Sequence, residues 1–267
     1  MHMKRDVSSR IVLNVTEPAD LVFAITAAGQ YQPDREHFLA TLDGSPIGHH
    51  EVADAHRTRL HRMRAGVGRL EVNYSASIPG EAVMDAATEA DLIVYTRPSR
   101  YAESDSLGPT AHAEFAGITD AAELLASVSS WVGTRLYYVS GSSLPTDGAT
   151  RTLLSRRGVC RDYAHLCVAL LRGLGIPSRL VAVYAPGLYP MDFHAVAEAH
   201  IGGAWRVVDA TTLAPRSTLV RIATGRDAAD TAFLTIASGR ADLVEMEVSA
   251  VVDLLPRDDI TMLEQIR

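Results

Sequence analysis

The order of periodic segments along the chain predicts an α+β fold. Apolar and polar residues alternate strictly at residues 70–78, which is the pattern of a strand with one buried face. A helical pattern begins at Asp120 and continues into an apolar helix that starts near Cys160 and stops at Gly175. Beyond Gly175 the periodic runs are strand-like, and helices separated from strands in this way are typical of α+β folds.

The composition is that of an ordinary globular protein. Its 267 residues are 47% apolar and 21% charged, and a chain of this length can bury a large core in one or two domains. The net charge of −7 argues against general nucleic-acid binding, which needs a basic face. The early apolar stretch at residues 11–15 is too short for a signal peptide, and nothing approaches the roughly 20 apolar residues of a membrane helix. We therefore expect a cytoplasmic protein with neither nucleic acid nor membrane among its partners.

The first part of the chain, residues 1–100, is predicted to form a small antiparallel β domain. Besides the strand at residues 70–78, weaker strand-like runs separated by turn residues occur at residues 10–15, 20–27, 37–42 and 57–63. The segment 98–109 is rich in Ser, Gly and Pro, which favours a linker. A second domain is then expected at residues 101–267.

The second domain is predicted to begin with helices. Asp120 and Glu123 form a pair that is typical of a capping box ahead of apolar residues at helical spacing. A short helix is predicted at residues 149–155, and the apolar helix from Cys160 has its stop signal at Gly175 and Pro177. Later strands are predicted at residues 179–184, 194–201, 204–209, 219–223, 231–237 and 243–252.

Two cysteines lie seven residues apart in the same predicted helix. At about 1.5 Å rise per residue, the Cα atoms of Cys160 and Cys167 are on the order of 10 Å apart, beyond the roughly 7 Å limit of a disulfide. Free thiols are therefore expected, which is consistent with a reducing compartment. A free cysteine viewed alone is usually a small buried hydrophobe, and Cys167 fits that interpretation. Cys160 follows Gly158 at a helix N-terminus, where amides and the helix dipole stabilise a thiolate, so it is the candidate nucleophile.

Two histidines compete as the general base, and the register of a predicted hairpin separates them. If residues 202–203 form a two-residue glycine turn, His194 lies opposite Thr211. Asp209 is then the diagonal neighbour of His194 on the same face, whereas His200 is roughly 13 Å from Asp209 at about 3.3 Å per residue. We expect His194 to be the base and Asp209 to orient it. A three-residue turn would invert this assignment.

Two other acidic residues are alternatives to Asp209. Asp192 precedes His194 by two residues and could instead line the substrate site. Glu198 shares the face of His194 but lies further along the hairpin. Both rank behind Asp209 on position.

A metal site is a competing interpretation of several histidines. A loose cluster in the N-terminal part consists of His49, His50, His56 and His61, beside several arginines. Neither this cluster nor the pairs Cys160 with Cys167 and His194 with His200 has the close spacing of zinc ligands. Such a run is typical of a solvated edge or loop, and we expect neither a metal nor a cofactor.

Four short motifs follow one another within residues 158–211. They are G-x-C-x-x-x-A, G-I-P-x-R, H-A and W-x-x-x-D-x-T, at residues 158–164, 175–179, 194–195 and 205–211. In these motifs the segment resembles the core of the transglutaminase-like superfamily, a group of papain-like cysteine enzymes. The resemblance implies a cysteine helix packed on an antiparallel sheet, with Cys160 as nucleophile, His194 as base and acid, and Asp209 as orienter.

The chain departs from the animal transglutaminases at two positions. Arg161 follows the cysteine, and Val196 follows His-Ala, where those enzymes carry tryptophan. An acidic loop of the kind that binds calcium is also missing from the sequence. These departures argue against calcium-activated protein cross-linking.

The β-rich start and the later segment 221–233 resemble bacterial cysteine proteases of the superfamily. That likeness implies that Arg226 and Asp227 lie near the active site, although a capped surface turn is the alternative. Together with Arg161 and Asp192 they are the candidate substrate-binding residues.

We predict from these residues a thiol-dependent acyl-transfer enzyme. Cys160 attacks an amide carbonyl of a peptide or protein substrate, and a thioester forms. Release by water gives a peptidase or amidase, which we favour because it needs no separate amine site. Release by an amine acceptor gives an acyltransferase of the transglutaminase or amide-forming type, and the second alternative is a non-enzymatic binding protein on the same fold.

Overall fold

The computed structural model describes residues 3–267, so residues 1 and 2 of the predicted N-terminal domain lie outside the described residues. The strands are β1 (Lys4–Phe23), β2 (Arg35–Leu42), β3 (Ser45–Pro46), β4 (His50–Ala53), β5 (Arg59–Ala65), β6 (Gly68–Pro79), β7 (Tyr137–Tyr138), β8 (Arg157–Gly158), β9 (Ser178–Tyr184), β10 (Phe193–Ile201), β11 (Ala204–Val208), β12 (Val220–Gly225) and β13 (Leu234–Val252). The α-helices are α1 (Glu89–Val94), α2 (Ser104–Phe115), α3 (Ala121–Arg135), α4 (Ala149–Ser155), α5 (Cys160–Gly173) and α6 (Ala228–Thr231), and short 3-10 turns occur at Ala55–Arg57 and Arg216–Thr218. Helices α1 to α5 lie between two groups of strands, which confirms the predicted α+β class.

The larger sheet is organised about β1. One edge of β1 pairs with β13, and its other edge pairs first with β6 and then, over residues 19–23, with β5. The pairings are antiparallel, and the strand order is β3-β2-β6-β1-β5-β4 with β13 beside β1. In the core of this sheet, Ile11 lies opposite Val72 and Leu13 lies opposite Leu70, so the alternation predicted at residues 70–78 is confirmed.

The prediction of separate strands at residues 10–15 and 20–27 is wrong, because β1 is one strand that ends at Phe23. The exposed run at residues 16–18 has the composition of a turn, but its register shifts against β13 mark a bulge. A bulge accommodates a proline that a regular ladder excludes, and here that residue is Pro18.

The strands predicted at residues 231–237 and 243–252 also form one element, β13. Gly239 lies at its bulge with a φ of +79°, and a Cβ there would lie 2.1 Å from the Pro18 carbonyl oxygen. This glycine is therefore required by the close approach of two bulged strands. Because β13 joins the sheet built by the N-terminal part, the larger sheet contains strands from both sides of the predicted division at residue 100. That division stays a prediction.

Part of the predicted linker at residues 98–109 is helical, since α2 begins at Ser104. A Cβ added to Gly173 of α5 would lie 3.1 Å from the Cα of Gly108 in α2. The glycine that suggested a linker thus lies where two helices approach closely. Within residues 3–267, the helices do not combine the length and the apolar character needed to cross a membrane.

The smaller sheet carries the predicted cysteine helix. Its strand order is β11-β10-β9-β12, the neighbours are antiparallel, and α5 packs against β9 and β10. Leu166, Val168 and Leu170 of α5 are fully buried in the core between helix and sheet. Asp120 caps α3 as predicted, because its Oδ1 accepts a hydrogen bond from the Glu123 backbone N–H at 2.8 Å.

A buried carboxylate ties three strands of the smaller sheet together. Glu198 of β10 accepts hydrogen bonds from Arg179 of β9 at 2.8 Å and from Arg221 of β12 at 2.6 Å. The Arg179 guanidinium also lies 3.9 Å from the ring centre of Trp205. Burial alone would raise the pKa of Glu198, but the charges and hydrogen bonds of the two arginines outweigh it and lower that pKa to about 2.

We expect the substitution Glu198→Gln to lower the free energy of unfolding by about 3–5 kcal/mol, because it leaves buried guanidinium groups without a counter-charge. The pKa of Glu198 is lowered from 4.5 to about 2, so its contribution is present above pH 4.5 and is lost as the pH falls through about 2. Urea unfolding followed by tryptophan fluorescence measures both effects. Asp85→Asn, at the exposed Arg57–Asp85 pair, is the control and should change stability little. Equal effects of the two substitutions would contradict this prediction.

Candidate active site

Cys160 is the first residue of α5, and the turn before it depends on Gly158. A Cβ on Gly158 would lie 2.6 Å from the Cβ of Asp162, so a larger residue does not fit there. Asp162 folds back over this turn and accepts a hydrogen bond from the Val159 backbone N–H at 2.8 Å. The turn leaves Cys160 partly exposed at the N-terminus of the helix.

The second cysteine is in a different environment. Cys167 is fully buried within the core of α5, and burial raises the pKa of its thiol. Both cysteines are free thiols, as predicted. Cys160 is therefore the cysteine that solvent and a ligand can reach.

His194 and Asp209 form a buried pair on the smaller sheet. His194 Nε2 and Asp209 Oδ2 lie 2.8 Å apart, and both side chains are almost fully buried. Asp209 Oδ1 accepts hydrogen bonds from the backbone N–H and the hydroxyl of Thr211, at 2.9 and 2.7 Å. Because its other oxygen is held in this way, the carboxylate presents Oδ2 to the imidazole in a fixed orientation.

The predicted hairpin register produces this contact. His200 lies opposite Trp205 and Ile201 opposite Ala204, so residues 202–203 form the two-residue turn on which the prediction depended. The even-membered turn keeps His194 and Asp209 on one face. The register and the contact are confirmed, while the catalytic roles of these residues stay a prediction.

The second ring nitrogen of His194 does not take part in holding the ring. His194 Nδ1 is buried and has no hydrogen-bond partner among the described residues. Cys160 is close enough for its thiol to contribute to the pKa of His194. Nδ1 is thus the atom of the ring that can exchange a proton with the thiol.

The charges around His194 favour an imidazolium. Burial alone would lower its pKa, but the charge and hydrogen bond of Asp209, together with Cys160, raise that pKa to about 10. Burial opposes ionisation of Asp209 as well, yet the charge of His194 holds the pKa of Asp209 below its usual value. A thiolate beside a protonated imidazole is the resting state of an activated cysteine nucleophile.

Tyr138 is a site residue that the sequence analysis missed. It lies in β7, opposite Gly158 of β8, and is therefore close to the start of the cysteine helix. Burial and the neighbouring Cys160 raise the pKa of Tyr138. Strand β7 has two residues and therefore shows no periodicity in the sequence. The one sequence signal for this site residue was the aromatic pair at residues 137–138, whose side chains are exposed in the structure.

A cavity of about 420 Å³ opens beside the cysteine and the histidine. Cys160 and His194 lie in its wall, together with the charged residues Arg161 and Asp192. The rest of its lining is apolar or small and comes from both sheets. Its volume is within the usual range of small-molecule sites.

Comparison with known proteins identifies the family. Residues 110–210 match the family model of the transglutaminase-like superfamily. The crystal structure of "a Putative Cysteine Protease from Cytophaga hutchinsonii" has a TM-score of 0.89 and 34% sequence identity, and the match covers 98% of this chain and 96% of that one. The chain belongs to the transglutaminase-like superfamily. Membership confirms the resemblance seen in the motifs, and the superfamily is one of thiol-dependent enzymes.

Shorter matches occur to mycobacterial proteins. The uncharacterized protein ML0607 of Mycobacterium leprae is 32% identical over 122 residues, which are 41% of this chain and 43% of that protein. The uncharacterized protein Rv2569c of Mycobacterium tuberculosis is 39% identical over 62 residues, 23% of this chain and 20% of that protein. The chain thus matches less than half the length of these curated relatives.

Two candidate substrate-binding residues lie at the cavity. Arg161 donates hydrogen bonds to the Ser143 hydroxyl at 2.6 Å and to the Leu144 carbonyl at 2.7 Å. It therefore holds the loop that contains these two residues beside Cys160. Asp192 accepts from the Phe193 backbone N–H at 2.7 Å, and burial raises the pKa of its carboxyl. The His194 imidazole is held by Asp209, and Glu198 is bound by two arginines. Neither Asp192 nor Glu198, the two alternatives to Asp209, therefore orients the ring.

The other two candidates are engaged outside the cavity. Arg226 pairs with Asp230 at 2.9 Å, and Asp227 caps α6 by accepting from the Ala229 backbone N–H. Asp227 also accepts from the Tyr101 backbone N–H at 2.9 Å. The structure brings α6 to the cavity but not these two side chains. They belong to a capped turn, as in the alternative interpretation, but Asp227 is buried and not at the surface. Their role toward a substrate stays a prediction.

Two of the N-terminal histidines, His49 and His61, lie together against Phe38 with ring centres 5.2 Å apart, while His56 has other contacts. His61 lies 3.2 Å from the Thr26 hydroxyl and stacks on Phe38, whereas the Tyr95 hydroxyl lies 2.6 Å from His56. Among residues 3–267, no three His, Cys, Asp or Glu side chains are grouped so that they could hold a metal ion.

We expect Asp209→Asn to lower the pKa of His194 well below about 10, because burial then acts without an opposing carboxylate charge. A histidine whose folded pKa is raised contributes stability that is complete below 6.5 and is lost as the pH rises through about 10. The free energy of unfolding of the wild type should therefore fall over that range, and more steeply than that of the variant. Histidine-selective NMR titration measures the pKa directly. An unchanged His194 titration in the variant would contradict the assignment of Asp209.

Proposed function

We propose that this protein is a thiol-dependent acyl-transfer enzyme that hydrolyses amide bonds through Cys160, His194 and Asp209. The observation that carries the proposal is the buried imidazole of His194, bound to Asp209 through Nε2 while Nδ1 stays free beside Cys160. Buried His61 and His165 also have one ring nitrogen without a partner in the described part of the chain, so His194 is distinguished by its contact with Asp209 and by the nearby thiol of Cys160. The similar protein from Cytophaga hutchinsonii bears the name of a cysteine protease, which supports the same chemistry here.

In the acylation step, the Cys160 thiolate forms a bond to the carbonyl carbon of the amide. The oxygen of the tetrahedral intermediate is held by the Cys160 backbone N–H at the start of α5. The Tyr138 hydroxyl, whose pKa is raised by burial and by the neighbouring Cys160, is our candidate donor of a second hydrogen bond to this oxygen. His194 then gives its Nδ1 proton to the amine nitrogen as the C–N bond breaks, and a thioester and a free amine result.

In the deacylation step, the imidazole of His194 is neutral and acts as a base. It takes a proton from water as the oxygen attacks the thioester carbonyl, and the C–S bond breaks with return of the thiolate. Asp209 stabilises the imidazolium that forms in each step and fixes the ring. This cycle needs no cofactor.

The acceptor that releases the thioester decides between two activities. Water gives a peptidase or amidase, whereas an amine bound near His194 gives an amine acyltransferase. Arg161 and Val196 replace the tryptophans of the animal cross-linking enzymes, which supports hydrolysis. The substrate we propose is a peptide or protein, because exposed apolar side chains precede the cysteine and the histidine in the chain. They are Tyr137 in β7 and Leu144 and Tyr189 in loops. The cytoplasmic location stays a prediction.

We expect wild-type protein to cleave members of a mixed peptide library and to form a thioester adduct on Cys160 that mass spectrometry detects. Cys160→Ala should reduce turnover by at least about 10³-fold, and Asp209→Asn by about 10²- to 10⁴-fold, since the triad acts as a unit. Cys167→Ala is the matched control and should remain active, because Cys167 is buried away from the cavity. Adding a primary amine distinguishes the acyltransferase, which would yield amide products.

The same variants test the binding-protein alternative. Iodoacetamide at pH 6 should alkylate Cys160 much faster than a free cysteine and leave Cys167 unmodified. A Cys160 that reacts no faster than Cys167, together with no turnover by the wild type, would refute the proposed enzyme in favour of a binding protein. Full turnover by Cys160→Ala would refute Cys160 as the nucleophile.

A further inference from the structure

The cavity beside Cys160 combines a few titratable residues with an otherwise apolar or small lining of its interior. Its titratable lining residues are Cys160, Arg161, Asp192 and His194, and all belong to the start of α5 or of β10. The other residues of the wall are apolar, glycine, serine or threonine. A charged group bound in this interior would lose its hydration without a counter-charge, and such burial is costly.

Both sheets contribute to the apolar wall. Ala182 of β9 and Ile222 of β12 come from the sheet that carries His194. Leu234 and Met246 come from β13, which is paired with β1 in the larger sheet. The space is therefore enclosed when the two sheets are together, and β13 supplies the wall that the catalytic sheet lacks.

Aromatic contacts hold this wall next to the histidine. Phe193, adjacent to His194, stacks on Phe233 with ring centres 5.6 Å apart, and Phe233 directly precedes β13. Ala182 is partly exposed between buried Val181 and Val183, so its small side chain faces the open space. These positions leave an apolar volume that begins at the reacting atoms.

We propose that this cavity binds an apolar acyl group, the side of the substrate that stays bonded to Cys160. The proposal rests on the proposed function and adds its substrate class: amides whose acyl part carries a large aliphatic or aromatic side chain. Val159, Cys160 and Arg161 line the cavity, so a group attached to the thiol continues into it. The acyl group stays in the site through acylation and deacylation. A cavity that binds it therefore favours both half-reactions.

The probes are p-nitrophenyl acetate and p-nitrophenyl hexanoate. The thiolate of Cys160 bonds to the ester carbonyl carbon, the C–O bond breaks, and p-nitrophenolate leaves with the electron pair. The rate constant of acylation is measured by absorbance, divided by the rate constant of glutathione with the same ester, and checked by the mass of the acylated protein. We expect the hexanoate to be favoured by about 10- to 200-fold after this normalisation.

Two substitutions change the cavity without touching the triad. Ala182→Leu fills it and should bring the hexanoate-to-acetate ratio close to one. Met246→Ala enlarges it and should move the preference toward longer acyl chains. Val244→Ala, at an exposed position of the same strand, is the matched control and should leave the ratio unchanged. The rate of Cys160 alkylation by iodoacetamide verifies that each variant is folded and its thiol intact.

The possible results separate the two proposals. Cys160 that is acylated by both esters at equal normalised rates, with no effect of Ala182→Leu, would overturn the apolar acyl site and leave the enzyme proposal standing. Cys160 that is acylated by neither ester and reacts with iodoacetamide like a free cysteine would contradict the proposed function itself.

Discussion

The pairing of Glu198 with Arg179 and Arg221 holds the smaller sheet in a single register. Each partner lies on a different strand, so a slip of β9 or β12 against β10 would separate a buried carboxylate from a buried guanidinium. His194 is four residues from Glu198 on the same strand and the same face. The register that satisfies the ion pairs is therefore the register that directs His194 toward Cys160.

The position of Asp209 depends on the same strand. β11 pairs with β10 through the two-residue turn, and a turn longer by one residue would place Asp209 on the opposite face. Thr211 then fixes the carboxylate from the side away from the histidine. Backbone pairing and buried charge thus set the positions of His194 and Asp209, while the turn at Gly158 sets that of Cys160.

The parts of the structure that the sequence predicted are those with local physical signals. The glycine pair at residues 202–203 defined a hairpin whose strands have a period of two, and that was enough to relate His194 to Asp209. The helix of Cys160 had an apolar face and a Gly-x-Pro stop. Such signals lie within a few residues of the feature that they specify.

The errors have the opposite origin. Residues 16–18 and Gly239 resemble turns because each is polar or flexible by itself, but they are bulges that face each other across β1 and β13. Their conformation depends on a partner more than 200 residues away, which no local pattern records. Tyr138 was missed for a related reason, since its place beside Cys160 comes from a two-residue parallel pairing with β8.

The pairing of β1 with β13 also has a consequence for the order of folding. Arg5 lies opposite Val252, so the loop that this contact closes spans nearly the entire chain and is slow to form. A nascent chain can build α5 and the smaller sheet while Leu234 and Met246 are still absent from the cavity. The cysteine, the histidine and the aspartate of the candidate site can then come together before the β13 wall of the cavity is added, so an acyl preference of the kind proposed would arise last.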